Sequence, residues 1–172
     1  MMRVIGDVCP DAKSTKCSEG GCRVSMPKSL VTYCGEAVRD HIMENRNTTP
    51  KMFDCIITDS REDKMSAVEL KHRKGGTGVL KGKRKAGRIE DIREKFTDGL
   101  IVLRRVLERI AKSCIRIQLV LYTKAHINDR SEIRELHRPL YNVSPKLRIT
   151  TAVCGDKLPE AHVAVSVQDL PA

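Results

Sequence analysis

The chain has 172 residues, 40% of them hydrophobic, which suits one domain with a real core and is too apolar for disorder throughout. It is too short for two comfortable domains, and no apolar run approaches the ~18 residues of a membrane span. The net charge of +10 points to a polyanionic partner.

Residues 1–28 show no sustained periodicity and contain Pro10, Gly20, Gly21 and Pro27. They read as an irregular, Cys-containing N-terminal arm, with a short strand near residues 22–25. The opening Met-Met-Arg-Val-Ile-Gly-Asp lacks an apolar stretch, so no secretory signal is expected. Residues 29–45 read as a helix. Ser29 is its N-cap, and Leu30, Cys34, Ala37, Val38, His41 and Ile42 form a stripe at helical spacing. Residues 52–58 and 65–71 read as two strands joined by the polar turn 59–64. Residues 72–87 mix Gly75, Gly76, Gly78, Gly82 and Gly87 with basic side chains and read as a flexible basic loop.

Residues 88–112 give the clearest helical pattern, with Ile89, Ile92, Phe96, Leu100, Leu103, Leu107 and Ile110 recurring every three or four positions. The apolar run 115–123 suits a buried strand. Residues 131–137 read as a short helix closed by Pro139, 147–153 as a strand, and 162–167 as an edge strand. This order predicts a single α/β domain, 1–172, whose core (29–172) is a mixed β-sheet flanked by helices.

Seven cysteines, Cys9, Cys17, Cys22, Cys34, Cys55, Cys114 and Cys154, are odd in number and scattered. That pattern suits a reducing compartment, and a cytoplasmic location, better than a disulfide scaffold. Cys17-x4-Cys22 falls within the spacing that structural zinc tolerates, with Cys9, Cys34 or His41 to complete a site; plain core cysteines are the commoner outcome.

The charge is concentrated. Between Glu69 and Glu90 stand Lys71, Arg73, Lys74, Lys81, Lys83, Arg84, Lys85 and Arg88, with no acid among them. Outside that segment 24 basic residues face 22 acidic ones. Such a segment suits phosphate binding; a solvated loop that maintains solubility is the plainer alternative.

A turn centred between Arg61 and Glu62 places Asp54 opposite Glu69. Cross-strand partners share a face, with Cβ atoms ~5 Å apart. Lys71, two residues on, shares it too. Charges among Phe53, Cys55, Ile56, Val68 and Leu70 are costly unless paired or bound to a cation. Two close carboxylates favour a hard divalent ion such as Mg²⁺ or Mn²⁺. An ordinary ion pair across a hairpin is the competing reading, and a slip of one residue would separate the set.

Asp54, fourteen residues, then Glu69-Leu70-Lys71 on the following strand, with a helix before and a long helix and strand after, resembles the PD-(D/E)xK nuclease superfamily. The match spans residues 30–123. It implies a restriction-endonuclease-like α-β-β-β-α-β core and metal-dependent hydrolysis of phosphodiester bonds, in restriction, repair, recombination or anti-phage defence. Asp54, Glu69 and Lys71 would be catalytic, with Asp54 and Glu69 holding metal. Members often add a glutamate from the first helix, here Glu36 or, alternatively, Glu44; Glu36 is the better match. Met52-Phe53-Asp54 departs from the nominal Pro-Asp. Many members carry a Gln or Lys on the helix after the motif, and Lys95 matches; a surface lysine is the plain reading. The resemblance also suggests a homodimer, or a partner protein for target choice.

No phosphate-binding loop signature, nucleophile elbow or paired-histidine metal motif is present in the sequence. Three Tyr, two Phe and no Trp leave little for a base-stacking platform, so phosphate contact and duplex DNA are favoured over single strands. The nucleic-acid contacts expected are Arg73, Lys74, Lys81, Lys83, Arg84, Lys85, Arg88 and Lys95. The alternative function is a non-catalytic nucleic-acid-binding or regulatory subunit on the same scaffold.

Overall fold

A computed structural model describes residues 3–43, 49–71, 85–140 and 145–172, the first four of the third segment (85–88) by backbone only. The strands are β1 (Lys13–Ser14), β2 (Ser18–Glu19), β3 (Cys22–Arg23), β4 (Val31–Cys34), β5 (Cys55–Thr58), β6 (Lys64–Lys71), β7 (Cys114–Thr123), β8 (Ile149–Val153) and β9 (Val163–Ser166). The helices are α1 (Ile5–Val8), α2 (Gly35–Ile42), α3 (Lys85–Arg109) and α4 (Arg130–His137).

The main sheet runs β1-β4-β5-β6-β7-β8. Pairing is antiparallel from β1 to β6 and parallel from β6 through β7 to β8. The far edge of β7 is shared: β8 lies beside its residues 119–123, and β9 pairs antiparallel with residues 114–117. The architecture is α/β with a mixed sheet and packed helices, as the element order predicts.

The hairpin register also matches the sequence reading. Cys55 pairs with Val68 and Thr58 with Met65, which is the turn centred between Arg61 and Glu62. Glu62 adopts a left-handed backbone, φ 55°, and its side chain turns inward. Its carboxylate accepts the Ile5 N–H at 2.8 Å and the Tyr33 hydroxyl at 2.9 Å. Burial pushes the Glu62 carboxyl above its ordinary range, although these donors favour its charge. A residue of the polar turn is therefore the buried anchor of α1.

Side chains alternate across each strand, so the sheet has two apolar faces. On one face Ile56, Met65, Ala67, Ile117, Leu119 and Leu121 pack with the helices. The α3 stripe from Ile92 to Leu107 is fully buried there; burial of each such side chain is worth ~1.5–3 kcal/mol. On the other face Ile57, Val68, Leu70, Val120 and Tyr122 meet Cys17, Cys22 and Val24 of the N-terminal arm, with no helical residue in the cluster.

Three expectations need correction. Residues 31–34 are a strand, not the start of a helix. Val31, Thr32 and Tyr33 are β-branched or aromatic, and they fill the slot between β1 and β5. The helix begins at Gly35, and the Ala37, Val38 and Ile42 part of the stripe faces the core.

Secondly, the arm is not irregular throughout: it carries α1, β1 and the β2–β3 hairpin, and it covers one sheet face. Two disulfides hold it there, Cys17–Cys55 and Cys22–Cys154. Cys9, Cys34 and Cys114 are free. This overturns the reading of scattered free thiols and removes the support those thiols gave to a reducing, cytoplasmic setting. Cys17 and Cys22 bond to separate partners, so the zinc pair that their spacing allowed as the less common outcome does not form. Thirdly, α3 starts at Lys85, so residues 85–87 are helical, not loop.

No helix among the described residues is long and apolar enough to cross a membrane.

Candidate functional site

The site is assembled where the β5–β6 ladder ends. Beyond the Cys55–Val68 pair, Asp54 replaces the backbone partner: its Oδ2 accepts the Leu70 N–H at 2.7 Å. Two glycines fix the segment that presents it. A Cβ on Gly35 would collide with the Phe53 carbonyl, and one on Gly99 with the Phe53 ring. The close approach lets α2 and α3 clamp Phe53, and the Gly35 N–H donates to the Asp54 carbonyl at 2.8 Å. The Phe53 and Phe96 rings stack with centroids 6.0 Å apart.

Glu69 projects to the same side and is 1% exposed. Its Oε1 takes two ammonium groups, Lys95 Nζ at 2.7 Å and Lys71 Nζ at 3.2 Å. Its Oε2 is buried and has no hydrogen-bond partner among the described residues. A buried carboxylate oxygen without a partner costs free energy, and it is the kind of atom a cation would satisfy.

The charges perturb one another. Burial pushes the Asp54 carboxyl up to about 8, and the negative charges of Glu69 and Glu19 push the same way against the Leu70 N–H. Burial works against the Lys95 ammonium, but Glu69 outweighs it, with help from Asp54, and the pKa is raised. A second carboxylate held close in a poorly hydrated place resists ionisation unless positive charge arrives.

These residues line a cleft of about 490 Å³, together with Glu19, Glu36, Arg39 and Lys51. The sequence-derived set thus converges in part. Asp54, Glu69, Lys71 and Lys95 meet at the cleft, and Lys95 is engaged in the site, not a plain surface lysine. Glu36 lines the cleft from the first turn of α2 and is exposed. Glu44 lies outside the described residues, as do Arg73, Lys74, Lys81, Lys83 and Arg84; the side chains of Lys85 and Arg88 are likewise not described. By connectivity the basic segment leaves the cleft at Lys71 and rejoins the fold at α3.

Sequence reading missed Lys51 and Glu19. Lys51 reaches Asp91 at 2.7 Å and Glu94 at 3.0 Å on α3, and its N–H donates to Asp98. The acid spacing 91, 94, 98 on one helical face was a legible sign that a cation docks there. Glu19 belongs to the arm, and its local sequence carries no sign of the site.

Among the described residues, no cluster of three or more His, Cys, Asp or Glu side chains is disposed to hold a metal ion. Asp54 and Glu69 are a pair, and their fit to a cation rests on the orphaned Glu69 oxygen and on the suppressed ionisation of Asp54. No known protein family, curated protein or solved structure matches the chain.

Proposed function

We propose that the chain is a metal-dependent nuclease that hydrolyses phosphodiester bonds, with duplex DNA its first substrate. The observation that carries the reading is the meeting of Asp54 and Glu69 with Lys71 and Lys95 at one cleft, with the buried Glu69 Oε2 lacking a partner among the described residues. Asp54 and Glu69 would hold Mg²⁺ or Mn²⁺, with Glu36 at the cleft wall. Such an ion, when bound, supplies Lewis acidity and lowers the pKa of bound water.

The chain's own groups do the rest. Lys71 and Lys95 set positive charge beside Glu69, where a scissile phosphate would lie, and stabilise charge that builds on it. Lys51 and Arg39 also line the cleft, each already paired with acidic side chains. The Leu70 N–H holds one oxygen of Asp54 in place at the cleft wall. The basic segment 71–88 grips phosphates on either side of the cut.

The proposed fold kinship has one departure. Among the described residues two strands, β5 and β6, lie between α2 and α3, where the superfamily pattern has three; the strand next to β5 is β4, which precedes α2. The sheet still offers three consecutive neighbouring strands before β7.

One observation favours the alternative, a non-catalytic nucleic-acid-binding or regulatory subunit. Two lysines already sit on Glu69, so the cluster approaches charge balance without a cation. Supercoiled plasmid incubated with Mg²⁺, Mn²⁺ or EDTA separates the two. Cleavage that requires metal is the expected result; a gel shift without cleavage would support the alternative. Replacing Lys81, Lys83, Arg84 and Lys85 with Ala should flatten the log–log salt dependence of DNA binding by about 3–4 units. An unchanged slope would mean that the segment does not hold nucleic acid.

A further inference from the structure

We propose that Cys34 is a resident nucleophile for the Cys17–Cys55 disulfide: by thiol–disulfide exchange it bonds to Cys55 and frees Cys17. The proposal stands apart from the reaction assigned to the cleft. Cys34 ends β4 and pairs with Cys55, the first residue of β5. One step further along the ladder, the Gly35 N–H donates to the Asp54 carbonyl at 2.8 Å. Gly35 and Asp54 therefore face each other as a hydrogen-bonded pair, which makes Cys34 and Cys55 a non-hydrogen-bonded one. Cα atoms at such a position are ~4.5 Å apart, and both side chains stand on one face of the sheet. A disulfide bridges Cα separations of roughly 4.4–6.8 Å without backbone movement.

Cys55 is already bonded to Cys17, with Cα atoms 6.0 Å apart. It thus has two cysteines within bridging reach, one from the arm and one from its own sheet. Cys34 is free and exposed, so water can take its proton. The other free cysteines are placed elsewhere: Cys9 packs with the helices, and Cys114 pairs with Ser166. In the exchange, the Cys34 thiolate attacks Cys55 Sγ. The Cys34–Cys55 bond forms as the Cys17–Cys55 bond breaks, and the electron pair leaves on Cys17 Sγ. Cys17 then takes up from water the proton that Cys34 released, so no oxidant or reductant is consumed. Cys17 is buried with Cys22, Val24 and Val68, and this packing keeps the Cys17–Cys55 isomer the major one. Cys17 stands two residues before Glu19, which lines the cleft together with Gly20. Exchange removes one of the two ties of this hairpin and leaves Cys22–Cys154 as the other. The covalent hold on one wall of the cleft is therefore reversible.

The test uses the full oxidised chain carrying Cys9→Ala and Cys114→Ala, which leaves one free thiol. After hours at pH 8 the sample is denatured in acid, where scarce thiolate stops exchange. The free thiol is then labelled with N-ethylmaleimide and located by mass spectrometry. Most of the label should fall on Cys34, and a minority, on the order of 0.1–10%, on Cys17. Adding Cys34→Ser should abolish the Cys17 label. Label confined to Cys34, label on Cys55 in place of Cys17, or Cys17 labelled equally in the Cys34→Ser chain would overturn the proposal. A second variant, Cys17→Ser, leaves Cys34 as the partner within reach of Cys55. In glutathione redox buffer it should form a Cys34–Cys55 disulfide, keep the parent circular dichroism, and exchange its amides at residues 18–23 faster than the parent. Cys34 and Cys55 recovered unbonded in a folded chain would overturn the exchange, and unchanged amide rates would overturn the release of the hairpin.

Discussion

The two faces of the central sheet are closed by different means. Beneath α3, the buried stripe from Ile92 to Leu107 packs on Met65, Ala67, Ile117, Leu119 and Leu121. Noncovalent packing is sufficient there, because a long amphipathic helix buries a large apolar area. Opposite, a short arm of two-residue strands covers Ile57, Val68, Leu70, Val120 and Tyr122. Such strands bury little and order themselves poorly, and two disulfides tie them down. The first face supplies Lys95 and the orientation of Glu69. The second supplies Glu19. The cleft therefore depends on a packed wall and a tethered wall.

The largest expected effect lies on the packed side. Asp54→Asn and Glu69→Gln should each reduce metal-dependent cleavage by orders of magnitude while the fold persists. Plasmid nicking under single-turnover conditions measures this. Near-wild-type rates in either variant at saturating Mg²⁺ would show that the site assignment is wrong.

The tethered side should answer in stability. Cys22–Cys154 closes a sequence separation of 132 and Cys17–Cys55 one of 38. Chain-entropy reasoning gives about 5 and about 4 kcal/mol for their removal. Paired Cys→Ala variants unfolded in urea should show the Cys22–Cys154 pair as the costlier loss. Equal or reversed costs would mean that the arm's own packing, not loop closure, decides how firmly it is held.

The smallest expected effect is a pH dependence on the tethered face. His162 ends the segment that runs from Cys154 to β9, with Nε2 at 3.3 Å from Ser66 Oγ. Gln118 donates to the same Ser66 oxygen at 2.9 Å and to the Pro159 carbonyl at 2.7 Å. Burial lowers the His162 pKa from 6.5, and Lys64 and Arg116 add to this while Glu160 and Asp59 oppose it. The unfolded chain then takes up the proton more readily than the folded one. The stability from neutral His162 is complete above about pH 6.5 and is lost as the pH falls through the folded value. In urea titrations between pH 7.5 and 5, His162→Gln should remove part of the acid-side decline. An identical decline in both proteins would assign it to other groups.

Legibility followed the same division. The α3 stripe, the β7 run and the hairpin register were readable, because periodicity and turn position are local properties. The register alone placed Asp54 opposite Glu69. Strand β4 was misread because Leu30 and Cys34 fit a helical stripe, and only pairing on both sides selects the extended form of Val31–Cys34. Glu62 was hidden because a charged turn residue normally faces water. Glu19 had no local sign at all: its place is set by cysteine pairs separated by 38 and 132 residues, and an odd cysteine count concealed that pairing.

The central claim is that Asp54 and Glu69 hold a divalent cation. Crystals soaked in Mn²⁺ test it most directly, through the anomalous signal of the metal. The account expects one strong peak within coordination distance of Asp54 and of Glu69 Oε2, absent from Asp54→Asn crystals. A cleft without a peak at saturating Mn²⁺, or a peak that persists in Asp54→Asn, would contradict it.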